Sequence, residues 1–177
     1  KFSMKDGTTA FRLIFYQDRI PPHQANLKDD YQKLAEYALN TKKGKLLDKM
    51  FGNIDLIRSK NFYVTNVVFW RPPGNRNPNK QEISTCLPLT KKHIGIINPK
   101  VLILLGNVAS QSILSTKEGI NVLRKKENYF IDKGLGLKIP VKAIFHPAYL
   151  LRNPIEKKTM WSDLLDIDEF ILTNNII

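Results

Sequence analysis

Two short segments of this 177-residue chain carry residue types that could bind a polar ligand and act on it. The first, YVTNVVFWRPPGNR, places Asn66 in a short apolar run, ahead of a loop that contains Arg71 and Arg76. An amide side chain can both donate and accept, so it matches the edge of a pyrimidine, which also offers a donor and an acceptor. The two arginines are suited to hold phosphate groups. The ordinary alternative is a buried asparagine that bonds to the backbone beside a turn.

The second segment, AIFHPAYLLRNP, places His146 between an apolar run and a proline. A histidine held at this point can approach a bound base and stabilise negative charge that develops on it. Next come Tyr149, Leu150 and Leu151, which form an apolar wedge beside the cation of Arg152. Such a wedge suits insertion into a duplex from which a base has been extruded. The ordinary alternative is a structural histidine before a proline.

An alternation of strands and helices must position these segments. We predict strands over residues 11–16, 62–68, 101–105 and 138–145, and helices over 29–39, 44–54, 81–97, 106–114 and 154–172. The run VLILL at 101–105 is continuously apolar, which is typical of a strand buried on both faces. The pattern predicts a mostly parallel sheet covered on both sides, with the ligand site beyond the carboxyl ends of its strands. Asp18, Asn66, Gly106 and His146 all fall at such ends.

Charge and composition narrow the class of partner. The chain carries 28 Lys and Arg against 16 Asp and Glu, a net charge of +12. This favours a polyanionic partner, nucleic acid first and an anionic membrane surface second, although a general surplus of lysine is the alternative. No apolar run approaches the ~20 residues of a membrane span. Because there are no repeats or long linkers, we expect a single domain over residues 1–177.

The two segments and their neighbours resemble the family 4 uracil-DNA glycosylases. The matching stretches are GKLLDKM, YVTNVVFWRPPGNRNP, EISTCLPL, PKVLILLG, AIFHPAYLLRNP and KTMWSDL, in the family's order, over residues 44–170. The resemblance implies a three-layer α/β/α sandwich around a central, mostly parallel four-stranded sheet. It also implies a DNA repair enzyme that flips out uracil and hydrolyses its N-glycosidic bond, starting base excision repair. We expect its partner to be uracil-containing DNA, with no membrane, and the protein to be a cytoplasmic monomer.

The resemblance assigns roles to individual residues. Asn66 would recognise uracil through its N3–H and O4, and His146 would stabilise the departing uracil anion near O2. The residues expected to contact DNA are Arg71, Arg76, Tyr149, Leu150 and Arg152. Paired lysines elsewhere, such as Lys42 and Lys43, are expected to contribute only a general positive field.

Residues 1–43 depart from the family pattern. The family has a Gly-Glu-Ala-Pro-Gly-type motif after its first strand, and then a phenylalanine that stacks on the base; neither is found here. Asp18 lies in a segment, Tyr-Gln-Asp, that faintly resembles the Gln-Asp-Pro-Tyr-His motif of the family 1 enzymes. We expect Asp18 to orient the attacking water. If it does not, no general base is visible in the N-terminal part, and loss of a general base commonly costs on the order of 10²–10⁴ in rate.

The single cysteine, Cys86, leads to an expectation about cofactors. One cysteine excludes an internal disulfide and a cysteine-only metal or iron–sulfur site supplied by this chain, and it favours a reducing, intracellular setting. Family members without the iron–sulfur cluster have tryptophan where others have cysteine, and Trp70 occupies that position here. We therefore expect no cofactor and no metal.

Two other functions are compatible with parts of the sequence. The divergent N-terminal part favours a catalytically impaired member that binds DNA without releasing a base. A nucleotide-binding α/β domain unrelated to DNA is the other alternative, but neither a G-x-G-x-x-G segment nor a P-loop is present.

Overall fold

A five-stranded sheet is the centre of the structure, a computed structural model that describes residues 12–15, 42–58, 60–69, 72 and 76–176. Its strands are β1 (Arg12–Phe15), β2 (Tyr63–Thr65), β3 (Val101–Leu105), β4 (Asn128–Asp132) and β5 (Leu137–Ile144). The strand order is β2-β1-β3-β5-β4. The first four strands in this order are parallel to their neighbours, and β4 pairs antiparallel with β5 at one edge. The carboxyl ends of β2, β1, β3 and β5 therefore meet at one side of the sheet.

Helices cover both faces of this sheet. They are α1 (Lys42–Gly52), α2 (Lys80–Ile97), α3 (Gly106–Leu114), α4 (Ile120–Leu123), α5 (Pro147–Arg152) and α6 (Lys157–Thr173), with a 3₁₀ turn at Pro154–Glu156. The central strand β3 is buried along its whole length. Leu102 and Leu104 pack with residues of α2 and α3, whereas Ile103 and Leu105 pack with residues of α1, α5 and α6. In the described part of the chain, no helix is both long and apolar enough to cross a membrane.

The start of α2 is fixed by a reciprocal cap. The Asn79 side chain accepts a hydrogen bond from the Glu82 backbone N–H at 2.8 Å, and the Glu82 carboxylate accepts one from the Asn79 N–H at 2.7 Å. The two bonds satisfy N–H groups that a helix start otherwise leaves without a partner. At the other end, Asn98 has a φ of 46° and its N–H bonds to the Ile94 carbonyl. The proline at position 88 lies inside the helix, which continues past it.

The predicted α/β class is confirmed, and the predicted sheet differs in two strands. The described sheet has five strands instead of four, because β4 was missed: its Tyr129 and Ile131 face solvent and only Phe130 is buried, so its apolar residues do not mark a core face. The strand predicted over 62–68 ends at Thr65, and Val67 and Val68 turn into the core beside α2 and α3. The helix predicted over 29–39 lies outside the described residues.

Candidate functional site

A cleft of about 390 Å³ opens where β3 and β5 end. Its walls come from the start of α1, the segment before α2, the starts of α3 and α4, and α5 with the residues just before it. The side chains and backbone that line it include those of Lys43, Arg76, Gly106, His146, Tyr149 and Arg152. The predicted location beyond the carboxyl ends of parallel strands is thus where a cleft is found.

His146 is held by the helix that follows it. It is the N-cap of α5, and its Nδ1 accepts a hydrogen bond from the Ala148 N–H at 3.0 Å. An imidazole nitrogen that accepts is unprotonated, so the neutral ring carries its proton on Nε2. The proline at the first helical position also restricts the backbone here. His146 is therefore a preorganised ring whose remaining donor is the buried Nε2–H.

Gly106 allows the two strand ends to approach one another. It begins α3 with a φ of 81°, a conformation that side chains rarely adopt. A Cβ atom at this position would lie 3.0 Å from the Cβ of His146. Glycine is therefore required both by the backbone angle and by the closeness of the histidine.

Tyr149 and Arg152 lie in the cleft wall, as predicted residues of the site, and Leu150 does not. The ring of Tyr149 packs against that of Phe145 with a centroid distance of 5.1 Å. Leu150 has no exposed surface and belongs to the core formed with α1 and α6. The prediction that Leu150 enters a duplex is wrong, because α5 turns this side chain inward. Its neighbour Leu151, 42% exposed, presents the apolar surface instead.

Arg76 reaches the cleft but is engaged in an ion pair. Its two terminal nitrogens bond to the two carboxylate oxygens of Glu82, each at 2.8 Å. The bond from Arg76, followed by that from the Asn79 backbone, lowers the pKa of Glu82 to about 2, and the bond to Glu82 raises the pKa of Arg76. Arg76 is thus fixed to the capped start of α2, and a phosphate would have to share it with Glu82.

The charged side chains that line the described part of the cleft are all positive. Lys43, Arg76 and Arg152 line it, and among its described lining residues there is no Asp or Glu. Lys43, which was predicted to contribute only a general field, lies at this wall in the first turn of α1, and its role stays a prediction. Sequence reasoning did not predict the contact of Asn107, whose Oδ1 accepts the Ile120 N–H at 2.7 Å and so connects the start of α4 to that of α3. The long separation between these elements left no signal in the sequence.

The other predicted site residues are not in this cleft or are not described. Asn66 follows β2 at the same side of the sheet and is partly buried, but it is not among the residues that line the cleft. Asp18 and Arg71, together with Trp70, lie outside the described residues. Their predicted roles therefore stay predictions.

The chain belongs to the uracil DNA glycosylase superfamily, whose model matches residues 24–165. It is similar to curated relatives named Type-4 uracil-DNA glycosylase. That of Archaeoglobus fulgidus is 36% identical over 71% of this chain and 64% of its own length. That of Sulfurisphaera tokodaii is 35% identical over 73% and 60%, and that of Pyrobaculum aerophilum is 29% identical over 68% and 62%. The chain thus spans less than two thirds of the length of each of these relatives.

These relatives correct the expectation about cofactors. The prediction of no cofactor is contradicted, because Type-4 uracil-DNA glycosylases are known as enzymes that contain an iron–sulfur cluster. The residues of this chain do not fit such a cluster with the usual four thiolates, since Cys86 is its only cysteine and lies on α2 with its side chain buried in the core. Over the described residues, no group of three or more His, Cys, Asp or Glu could hold a metal ion. No step of the reaction below involves a cluster.

Proposed function

We propose that this protein excises uracil from DNA by hydrolysing the N-glycosidic bond. The observation that carries the proposal is His146, a histidine fixed by its own helix cap in a cleft lined by cations. The family match and the names of the curated relatives support the same reaction. A cleft of this charge suits a strand of nucleic acid, because lysine and arginine contacts to phosphates provide most of such affinity.

In the proposed reaction, His146 acts on the leaving group. As the bond between the sugar and N1 of uracil breaks, its electron pair passes to the base, and negative charge develops on O2. The Nε2–H of His146 donates to that oxygen, and because Nδ1 is already bonded to the Ala148 N–H, the ring does not need to reorient. The sugar becomes oxocarbenium-like, and water adds to it and loses a proton. Asp18 is proposed to orient this water.

Recognition of the base and of the strand is proposed for other residues. Asn66 would pair with N3–H and O4 of uracil, which thymine also presents, so the pocket must exclude thymine by its methyl group. Lys43 and Arg152, at the cleft, are suited to phosphates on either side of the extruded nucleotide. Arg71 and Arg76 are proposed to extend this contact, and Tyr149 to lie against the displaced base or sugar.

Release of free uracil tests the proposal. A single-stranded oligonucleotide with one uracil is incubated with the protein, and abasic sites are revealed as alkali-labile breaks. We expect breaks at uracil and none in the matched oligonucleotide with thymine. Absence of release with excess enzyme at about 50 mM salt, where phosphate contacts are strong, contradicts the proposal.

One observation favours a second candidate function, DNA binding without catalysis. The described lining of the cleft has no carboxylate that could position water. If Asp18 does not supply one, salt-sensitive oligonucleotide binding without base release is the expected behaviour. The single domain, the monomeric state and the cytoplasmic location stay predictions alongside both functions.

A further inference from the structure

The cleft wall that holds His146 is backed by a largely buried ion pair. Arg124, which ends α4, bonds through Nε to Asp163 Oδ2 at 2.9 Å and through a terminal nitrogen to Asp163 Oδ1. The same terminal nitrogen bonds to the Thr159 carbonyl at 3.3 Å. The side chains are only 11% and 7% exposed. The pair thus connects α4 to α6 with fixed, two-point geometry.

Arg124 also contacts the residue before His146. Its guanidinium carbon lies 5.2 Å from the centroid of the Phe145 ring, within the range of a cation–π contact. Phe145 is 4% exposed, and its ring packs on that of Tyr149. These two residues lie before and after His146 in the sequence. Arg124 therefore supports the wall from behind, although it does not line the cleft itself.

Helix α4 is held at both ends by these contacts. At its start, the Ile120 N–H bonds to Asn107, and at its end, Arg124 bonds to Asp163. Ile120 and Asn121, between these two attachments, line the cleft. A four-residue helix has few internal bonds, so its position depends on these two attachments together with the buried Leu123, whose carbonyl accepts a hydrogen bond from Asn128 Nδ2 at 2.8 Å.

We propose that Arg124, held by Asp163, is a positioning residue that fixes Phe145 and α4 and thereby sets the orientation of the His146 ring in the cleft. The inference rests on the proposed glycosylase function for its effect on rate. Removing Arg124 alone would leave Asp163 without its counter-charge, and burial already raises the pKa of that carboxyl against the opposing effect of Arg124.

A second arginine–aspartate pair that packs on a phenylalanine provides a control away from the cleft. Arg58 bonds to a single oxygen, Oδ1, of Asp48 through Nε at 3.1 Å and a terminal nitrogen at 2.8 Å, and its guanidinium lies 5.5 Å from the centroid of Phe62. None of these three residues lines the cleft. This pair is more exposed than that of Arg124 and Asp163. Lysine at either position keeps the charge but loses the planar, two-point contact.

The test compares Arg124→Lys with Arg58→Lys in the full chain. Single-turnover release of uracil, the dissociation constant for the oligonucleotide and the ¹⁵N signals of the His146 ring are measured. We expect Arg124→Lys to shift the ring signals and to slow release about tenfold, since small misplacements of a reacting group are costly, while affinity for DNA changes less than about twofold. Arg58→Lys should leave all three readouts near those of the wild type.

Three other outcomes of this comparison decide whether Arg124 positions His146. Unchanged ring signals and rate in Arg124→Lys overturn the proposal, and so does an equal loss in both variants. If Arg124→Lys does not fold, the double variant Arg124→Met/Asp163→Leu removes both charges, leaves none buried alone, and is subject to the same criteria. If the wild type releases no uracil, the proposed function fails, and the ring signals alone decide the positioning proposal.

Discussion

At the scale of single residues, the site depends on one histidine and on the glycine that faces it. The motif around His146 could be recognised from the sequence because, together with the segment around Asn66, it resembles the family 4 uracil-DNA glycosylases. The reason for Gly106 could not, since its closest contact, 3.0 Å to His146, joins residues 40 positions apart (146 − 106). The type of a residue can indicate its chemistry from the sequence alone. A close contact between residues far apart in the chain can be found only in the folded structure.

Replacing Gly106 with alanine should therefore reduce both stability and activity. The left-handed conformation costs a non-glycine residue about 1–2 kcal/mol, and the added Cβ presses on His146. We expect a loss of unfolding free energy of that size in denaturant titrations and a slower release of uracil. Gly52→Ala is the control, because nothing lies within 4 Å of its added Cβ. Equal stability of the two variants would contradict the explanation.

At the scale of elements, α5 shows how an apolar segment can be misinterpreted. Tyr149, Leu150 and Leu151 look equivalent in sequence, and the six-residue helix sorts them: Tyr149 to the cleft wall, Leu150 to the core and Leu151 to the surface. The sorting depends on the angle at which the helix leaves His146, and the sequence alone does not determine that angle. β3 was predicted with its observed ends because a strand buried on both faces needs no choice of face.

Alanine substitutions in α5 should affect the stability of the protein very differently at its two leucines. Leu150→Ala removes a fully buried side chain from the core and is expected to cost about 2–5 kcal/mol of unfolding free energy. Leu151→Ala should change stability by less than about 0.5 kcal/mol, because its side chain is partly in solvent. Denaturant titrations of both variants measure this, and comparable losses would contradict the assignment of Leu150 to the core.

The contacts that stabilise the start of α2 should be lost at acidic pH. The pKa of Glu82 is lowered from 4.5 to about 2 in the folded protein, so the unfolded chain binds the proton more readily. The contribution of the Arg76–Glu82 pair is therefore complete above about pH 4.5 and is lost as the pH falls towards 2. The protection of the Asn79 amide against hydrogen exchange, relative to the intrinsic exchange rate at each pH, should fall over this interval. Glu82→Gln keeps the capping contact without the charge, and this pH dependence should then disappear.

At the scale of the whole molecule, part of the net charge of +12 is concentrated at the cleft. The sequence suggested a polyanionic partner, and the fold brings Lys43, Arg76 and Arg152 to one cleft, where Arg76 is already paired with Glu82. The position of Lys43 at the cleft could not be predicted from the sequence, because a pair of lysines usually lies on a solvated surface.

Neutralising Lys43 should reduce the salt dependence of DNA binding. If it contacts one phosphate, Lys43→Gln lowers the slope of log affinity against log salt concentration by about 1. Lys157→Gln, at an exposed position that does not line the cleft, should leave the slope unchanged. Oligonucleotide titrations at several salt concentrations measure both slopes. Equal slopes for the two variants would mean that Lys43 acts only through the general field.

The most direct test of the central claim is the single-turnover rate of uracil release by His146→Ala. His93→Ala is the control, because His93 lies on α2 against the Tyr63 ring and does not line the cleft. Loss of a preorganised donor at the leaving group should lower the rate about 10²–10³-fold, with DNA affinity retained and His93→Ala near the wild-type rate. A His146→Ala protein that releases uracil as fast as the wild type would contradict the account.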